Sequence, residues 1–309
     1  MGLRSPINSD VSQPSSQPAP EAESPEAVPA WARALRHLAY PILLGSVVAV
    51  STLGIARDRE LEAVGFLFVL GVLLYLVVLE RLIPYDRSWH PSRREWRWYG
   101  AYFLLTALGG ALAQALVLAL VGVVSLPESA LPLGVEIPLA ALLGSLANYL
   151  VHRLGHTNRH LWRLHGVHHA PDKVNIGNNS VNNILDVVLA QGATQLSLAL
   201  VGFSEASVFA VGLFVVAQGY FTHANADVRI GWLNHIVSSP EQHRLHHSTD
   251  LSEAGHYAAD LSIWDRVFGS FTWRPGRRPA SVGLVDPTSF PPTGAVLTNQ
   301  FRPWRRPAR

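Results

Sequence analysis

The fold is decided by residues 152–169, HRLGHTNRHLWRLHGVHH, together with residues 243–247, HRLHH. These segments hold three histidine clusters, which we call boxes one, two and three: His152/His156, His165/His168/His169 and His243/His246/His247. Offsets of three and four residues on an α-helix keep side chains within an arc of about 100°. Each box is therefore predicted to direct its imidazoles to one side, as ligands of a common metal centre.

The number of imidazoles indicates more than one metal ion. The boxes contain 8 of the 14 histidines of the chain. A mononuclear zinc site uses three or four protein ligands, so eight or more can hold two metals. Imidazole suits zinc, copper, iron and nickel, and the residue type alone does not name the metal. The chain has no cysteine, which excludes thiolate ligands, iron–sulfur clusters and disulfides.

Long apolar stretches predict a membrane protein. Only 15% of the residues are charged, and the mean hydropathy is +0.19. Three uncharged stretches are predicted to be membrane helices: residues 38–56, 63–79 and 100–126. Three shorter apolar runs are marginal in length for spanning: residues 137–151, 187–203 and 206–222. The shorter runs either complete a bundle or form a hairpin that enters the membrane and returns around Ser204 and Glu205.

The arginine positions predict the orientation. Residues 81–97 carry five arginines with aromatic side chains among them, which is typical of a cytoplasmic loop at the headgroup level. Residues 127–136 have no lysine or arginine and are predicted to face the opposite side. Residues 137–151 then return box one to the cytoplasmic boundary, and a hairpin that enters and leaves on one side brings box three there as well. The predicted fold class is an all-α integral membrane helical bundle with a cytoplasmic histidine-box metal cap.

Other familiar catalytic patterns do not occur in the sequence. It contains no His-Glu-x-x-His helix, Gly-x-Ser-x-Gly elbow, Walker phosphate loop or dinucleotide-binding glycine fingerprint. The net charge is only +2, which does not indicate a nucleic-acid partner. What is left is a histidine-rich, carboxylate-poor site at a membrane edge, which an apolar substrate could reach from the bilayer.

The order and spacing of the three boxes resemble the fatty acid hydroxylase/sterol desaturase superfamily of membrane di-iron oxygenases. Flanking segments agree: FTHAN at residues 221–225, PEQHR at residues 240–244 and IWDRVFG at residues 263–269. The resemblance covers roughly residues 137–273. Only residues 157–164 separate boxes one and two, which is similar to the hydroxylases and unlike acyl-CoA desaturases.

The resemblance implies two iron ions held by the box histidines, with dioxygen as co-substrate. Such a centre hydroxylates or desaturates an unactivated C–H bond of a lipid, either a fatty acid, a sterol or a related apolar molecule. The electrons come from an external donor, a reductase, a ferredoxin or a haem carrier. His223 resembles a further family histidine and is included as a ninth ligand. The predicted metal ligands are thus His152, His156, His165, His168, His169, His223, His243, His246 and His247.

Two positions depart from the family pattern. Many relatives have a histidine followed by Pro and an acidic residue after box two, where this chain has Asn183-Ile184-Leu185-Asp186. Relatives often have Asn-Tyr-Gly after box three, where this chain has His256-Tyr257-Ala258. We hypothesise that one metal ligand has been lost at Asn183 and another gained at His256.

The chain is divided into four predicted regions. Residues 1–30, rich in Pro, Ser, Ala and Glu, are predicted to be a disordered tail. Residues 31–135 hold transmembrane helices, residues 136–275 form the fatty acid hydroxylase-like catalytic domain, and residues 276–309 form a Pro/Arg-rich tail. Lys173 is the only lysine beside many arginines, which favours a GC-rich bacterial genome and hence the plasma membrane.

Two other interpretations remain open. One is a metal protein of the same fold that is loaded with zinc or is otherwise non-oxidative. The other is a non-catalytic membrane lipid-binding or scaffold protein with a structural dinuclear metal site. The number of imidazoles favours the oxygenase, because a structural site closes with four ligands. The lipid, the carbon attacked and the oligomeric state are not predicted.

Overall fold

The computed structural model describes residues 28–57, 60–122 and 128–303, and the described residues form an all-α fold. Their α-helices are α1 (Ala30–Ala56), α2 (Leu61–Leu82), α3 (Arg93–Val121), α4 (Leu133–Thr157), α5 (Trp162–His165), α6 (Ile184–Val201), α7 (Glu205–His223), α8 (Pro240–His246), α9 (Ile263–Val267) and α10 (Val296–Phe301). Short 3₁₀ helices lie at Arg87–Trp89, Ile176–Ser180 and Gly231–His235. The described residues contain two isolated β-bridges and no β-strand. The all-α part of the predicted fold class is confirmed.

Six helices, namely α1 to α4, α6 and α7, are long and apolar enough to cross a membrane, which describes a multi-pass membrane protein. The three stretches predicted to span lie in α1, α2 and α3, although α3 ends at Val121 and residues 123–127 lie outside the described part. The three marginal runs lie in α4, α6 and α7. They are parts of longer helices, because the flanking polar residues continue each helix beyond its uncharged run.

The turn between α6 and α7 lies at the end of α4 that is remote from the histidines. Gly202 ends α6 with a φ of 76°, a left-handed conformation that glycine adopts without strain. Ser204 caps α7 and also donates two hydrogen bonds to the Glu136 carboxylate in the first turn of α4, from its backbone N at 2.6 Å and its Oγ at 3.0 Å. The beginning of α6 and the end of α7 therefore both lie at the histidine end of the bundle.

Helix α7 occupies the centre of the bundle. It packs against α1, α2 and α4 within the bundle and against α8 beyond it. Its Phe221 ring lies 4.9 Å from the Tyr40 ring of α1, and both side chains are fully buried. Helix α6 packs on the other side of α4, between α4 and α3. This arrangement leaves room between α2, α3, α6 and α7, where the principal cavity lies.

A buried carboxylate joins the membrane bundle to the cap. We use this name for the segments at the histidine end that lie outside the six long helices, residues 83–92, 158–183 and 224–303. Glu80, near the end of α2, accepts hydrogen bonds on Oε1 from the backbone N of Ile176 at 2.7 Å and of Asn225 at 2.8 Å. One of these residues begins the 3₁₀ helix after box two, and the other follows α7. Loops from two distant parts of the sequence are thereby held at a single point over the end of α2.

The described part of the predicted C-terminal tail, residues 276–303, packs on the rest of the cap. Val282 forms a β-bridge with Ser248, directly after box three. The Phe290 ring packs so closely on Gly166, inside box two, that a Cβ at Gly166 would meet it at 2.3 Å. Asn299 donates to the Tyr102 hydroxyl of α3 at 3.0 Å. The predicted N-terminal tail falls almost entirely in residues 1–27, outside the described residues.

Candidate metal centre

The three boxes lie on three different kinds of local structure. His152 and His156 are one turn apart near the end of α4. His165 is the last residue of α5, and the remaining two histidines of box two lie in the turn that follows. Box three lies on α8, and His247 is the residue that ends this helix. Both histidines of box one therefore lie on one face of a helix. Boxes two and three each extend past the end of a short helix, so their histidines do not all lie on one helical face.

The start of α8 is determined by its capping residues. Ser239 and Gln242 form a capping box, and Pro240 occupies the first helical position, where its missing N–H leaves no hydrogen bond unmade. A helix of seven residues is too short to be stable in isolation. Capping and the packing against α7 together hold the box-three histidines in place.

All nine predicted ligands converge, and they do so as two groups. Within each group, one ligand atom from every residue lies within 4.8 Å of all the others. The five-histidine group consists of His152, His156, His165, His169 and His246. The four-histidine group consists of His168, His223, His243 and His247. Boxes two and three contribute to both groups, so the grouping of the histidines in space differs from their grouping along the sequence.

The five-histidine group is a set of buried nitrogens without partners. The Nε2 atoms of His152, His156, His165 and His169, and both ring nitrogens of His246, are buried and make no hydrogen bond among the described residues. Leaving a buried polar atom unsatisfied costs about 1–3 kcal/mol, and native structures leave few of them. Several such nitrogens aimed at one point are the arrangement that a bound metal ion satisfies.

The four-histidine group is marked by short distances between ring nitrogens. The Nε2 atoms of His168 and His223 lie 2.9 Å apart, those of His223 and His243 3.0 Å, and those of His243 and His247 3.2 Å. Two nitrogens that share a metal at about 2.1 Å, roughly at right angles, are separated by about 3 Å. The spacing of the four rings thus fits coordination of one ion.

The partners of Nδ1 in two of these rings indicate which ring nitrogen carries the proton. The Nδ1 of His168 faces the Val181 carbonyl at 3.3 Å, and the Nδ1 of His223 faces the Gly219 carbonyl at 2.9 Å. A carbonyl only accepts, so each Nδ1 carries the proton and each Nε2 is unprotonated when the ring is neutral. Two facing lone pairs cannot hydrogen-bond to each other. A cation between them makes the arrangement favourable.

Burial keeps the imidazoles of the cap in their neutral, ligand form. Burial first, and neighbouring imidazoles second, hold the pKa of five histidines well below the usual value: His168, His169, His243, His246 and His247. Metal binding requires neutral imidazole, and a metal ion at the site acts in the same direction.

Asp186 contacts the five-histidine group, and the sequence analysis did not predict this contact. Its Oδ2 lies 2.9 Å from the Nδ1 of His165, which leaves Nε2 of that ring directed into the five-histidine group. A carboxylate on the outer nitrogen fixes the tautomer and raises the basicity of a metal-binding histidine. The sequence feature that could have indicated this contact is the acidic residue at the end of Asn183-Ile184-Leu185-Asp186, the segment in which only Asn183 was considered as a lost ligand. That residue instead caps α6 through the backbone N of Leu185.

His256 is not brought to either group. It is fully buried, with its Nε2 3.2 Å from the Ser238 Oγ and its Nδ1 3.3 Å from an Asp265 oxygen. The Asp265 carboxylate also accepts from the backbone N of Tyr257 and of Ala258, both at 2.9 Å. His256 and Asp265 therefore lie in a polar contact that braces the segment after box three.

An apolar cavity of about 520 Å³ leads from the bundle to the histidines. Phe66, Leu70, Phe103 and Val216 belong to its membrane-level wall, and histidines of both groups line its other end. A cavity of this size accommodates part of a lipid molecule. A chain that lies in the bilayer between α2, α3, α6 and α7 can thus bring a carbon atom to the two groups.

Comparisons with known proteins fall on the same part of the chain. Residues 137–270 match the sequence model of the fatty acid hydroxylase family. The protein named ornithine lipid hydroxylase OlsE from Rhizobium tropici is 28% identical over 265 residues, which cover 82% of this chain and 80% of that protein. Alkylglycerol monooxygenases from Homo sapiens and Danio rerio are 28% and 32% identical, over 53% and 42% of this chain. The chain spans only 37% and 29% of these two proteins, and no solved structure matches it.

The family match begins in α4 and ends after α9, so it includes all three boxes and His223. The structure assembles those histidines beside an apolar cavity, and the relatives of known activity modify lipids. The resemblance noted in the sequence is confirmed for residues 137–270, which match the fatty acid hydroxylase family.

Proposed function

We propose that this protein is a membrane-bound di-iron oxidoreductase that uses dioxygen to hydroxylate a membrane lipid. When bound, two iron ions supply the dioxygen chemistry that oxidises an unactivated C–H bond. The five-histidine group would hold one ion, and the four-histidine group the other. The chain itself supplies the neutral imidazole ligands, the Asp186 contact that orients His165, and the apolar path to the site.

The observation that carries this proposal is the meeting of the two groups with the cavity. Nine imidazoles in two groups provide ligands for two metal ions, whereas four ligands complete a single structural site. A structural site also needs no access for a substrate, yet rings of both groups line the apolar cavity. Neutral nitrogen ligands for two metal ions, placed at the end of an apolar cavity that accommodates part of a lipid, are suited to chemistry on an apolar molecule.

Hydroxylation rather than desaturation is favoured by the named activities of the relatives. One of them is a hydroxylase of ornithine lipid, and the others are alkylglycerol monooxygenases. Both substrates are lipids with polar groups, which favours a membrane lipid over a free hydrocarbon. The electrons would come from a separate donor protein on the cytoplasmic side, where the arginine distribution is expected to place the histidines.

A non-catalytic lipid-binding or scaffold protein is the alternative. It would need the cavity and would tolerate any metal in the two groups. It would not consume oxygen, so metal analysis combined with oxygen uptake separates the two functions.

The test is metal content per chain and oxygen uptake of the detergent-purified protein, with a reductase supplied and a lipid extract as substrate. Variants His168→Ala and His246→Ala remove one ligand from each group. His160→Ala is the matched control, because His160 is an exposed histidine outside both groups. We expect close to two irons per chain, less metal in both variants, and wild-type content in the control.

Two zinc ions without oxygen uptake after exchange for iron would contradict the oxygenase and favour the scaffold. A metal content that neither ligand variant changes would contradict the assignment of the site itself.

A further inference from the structure

Three glutamines line the cavity within the membrane-spanning helices. Gln114 lies on α3, and Gln191 and Gln195 lie one turn apart on α6. No hydrogen bond joins any of the three carboxamides to another described residue. Gln114 and Gln191 are exposed and Gln195 is half-buried, so a ligand in the cavity can reach them. An amide without a partner in an apolar medium costs several kcal/mol, and polar groups within membrane-spanning helices mark substrate pathways. The enzyme proposed above does not by itself account for them.

The surrounding helix makes room for one of these carboxamides. Gln191 lies against Gly110 of α3, where an added Cβ would approach the Gln191 Oε1 to 2.7 Å. Any larger residue at Gly110 would displace the carboxamide from its present position. The position of Gln191 at the cavity wall thus depends on the close approach of α3 and α6, which pack together extensively.

The distance from the histidines follows from the helix. Asp186, in the first turn of α6, contacts His165. Gln191 and Gln195 are five and nine residues further along, which places them about 7 and 13 Å from Asp186 along the helix axis. Gln191 and Gln195 therefore lie deeper in the bundle than Asp186, by the length of many bonds of a bound lipid chain and not of one or two.

The geometry points to a carboxamide subsite, formed by Gln114, Gln191 and Gln195, that binds the amide linkage of an acylated amino-acid lipid. This inference rests on the proposed function. A primary carboxamide offers both donors and an acceptor, and a secondary amide complements it with one N–H and one carbonyl. An ether offers only an acceptor, and a hydrocarbon chain offers neither.

The test compares equilibrium binding of two radiolabelled lipids to the purified, iron-loaded protein without reductant, so that no turnover is needed. The probes are an N-acyl ornithine lipid and a free fatty acid with the same acyl chain. Gln191→Met and Gln195→Met keep the length of each side chain but remove its hydrogen bonds. We expect each variant to bind the amide lipid about tenfold more weakly and the fatty acid as the wild type does.

Gly110→Ala provides a second test that leaves all three glutamines in place. It should also weaken binding of the amide lipid, because it displaces Gln191. Gly100→Ala is the matched control on the same helix, since a Cβ at Gly100 meets nothing within 4 Å. The metal content of each variant reports whether it has folded.

Unchanged binding of the amide lipid in both glutamine variants would overturn the subsite, as would an equal loss for the two lipids. Selective binding without any oxygen uptake would contradict the proposed function and leave the subsite supported.

Discussion

The two histidine groups are built from the same boxes but are supported differently. The five-histidine group has a carboxylate behind one ring, where Asp186 contacts His165, and its inward nitrogens have no partners. The four-histidine group has backbone carbonyls behind two rings, and three pairs of its Nε2 atoms are 2.9–3.2 Å apart. A charged support strengthens a ligand more than a neutral carbonyl does. The groups are therefore expected to differ in metal affinity and in their tolerance of ligand loss.

The two groups also differ in the parts of the chain that supply their histidines. Box one contributes only to the five-histidine group, and His223 of α7 only to the four-histidine group. Boxes two and three join the groups, and the rings of His169 and His247 stack across the boundary with centroids 4.3 Å apart. A substitution at this boundary isolates the effect of ligand number, because the two rings share the same surroundings.

The largest effect is expected from that pair. His247→Ala leaves three imidazoles in its group, whereas His169→Ala leaves four in the other. We expect His247→Ala to retain about one metal per chain and to lose turnover by at least about 100-fold, beyond what loss of an outer partner costs. His169→Ala should retain more metal. Metal analysis after gel filtration checks this, and equal losses in the two variants would contradict the role of ligand number.

The carboxylate support comes next. Asp186→Asn keeps a hydrogen-bonding side chain but removes the charge behind His165, and it should lower metal affinity or turnover by about 10–100-fold. The loss should be confined to one of the two metals, which competition with a chelator can resolve. Asp286→Asn on the cap surface is the control, since that carboxylate is exposed. Loss of both metals together would show that the groups do not behave separately.

A smaller effect concerns the pH dependence of the metal-free protein. Histidines of both groups have pKa values well below the usual value because they are buried, among them His169, His243 and His246. Below about pH 6.5 these imidazoles are protonated in the unfolded chain but not in the folded one. The unfolded state then binds more protons, so the free energy of unfolding decreases as the pH falls.

Thermal unfolding of the metal-free protein between pH 8 and pH 5 measures this decrease. His243→Gln and His246→Gln each remove one buried imidazole, from the four- and the five-histidine group respectively, and should reduce the slope to a similar extent. His160→Gln, at an exposed position, should not change it. A slope that is the same in all variants would show that these imidazoles do not govern the acid sensitivity.

The smallest effect is expected at His256. Its ring contacts Ser238 and Asp265 and belongs to neither group. From this geometry, His256→Ala should retain both metals and lower stability by about 1–3 kcal/mol, through the loss of the buried contacts with Ser238 and Asp265. Loss of a metal would instead support the ligand role that the sequence departure suggests. Metal content and the unfolding midpoint, measured on the same sample, separate the two outcomes.

Much of the molecule could be predicted from local patterns. The uncharged stretches predicted α1, α2 and α3, because a spanning helix needs only enough consecutive apolar residues. They did not show that the marginal runs belong to longer helices, since polar residues near the histidine end continue α4 and precede the hairpin. Among those residues, His152 and Asp186 belong to tertiary contacts at the histidine end that the local pattern does not contain.

The sequence by itself determined which imidazoles are available, since residue type and short spacing are local properties. Only the tertiary structure decided how they are shared, because the division into two groups depends on segments as far apart as α4 and α8. It also decided the role of Asp186 and brought Gln191 to Gly110, each through one contact between residues distant in the chain. A spacing of three or four residues gives the direction of a side chain within its helix. What that side chain meets is set by the packing of the whole bundle.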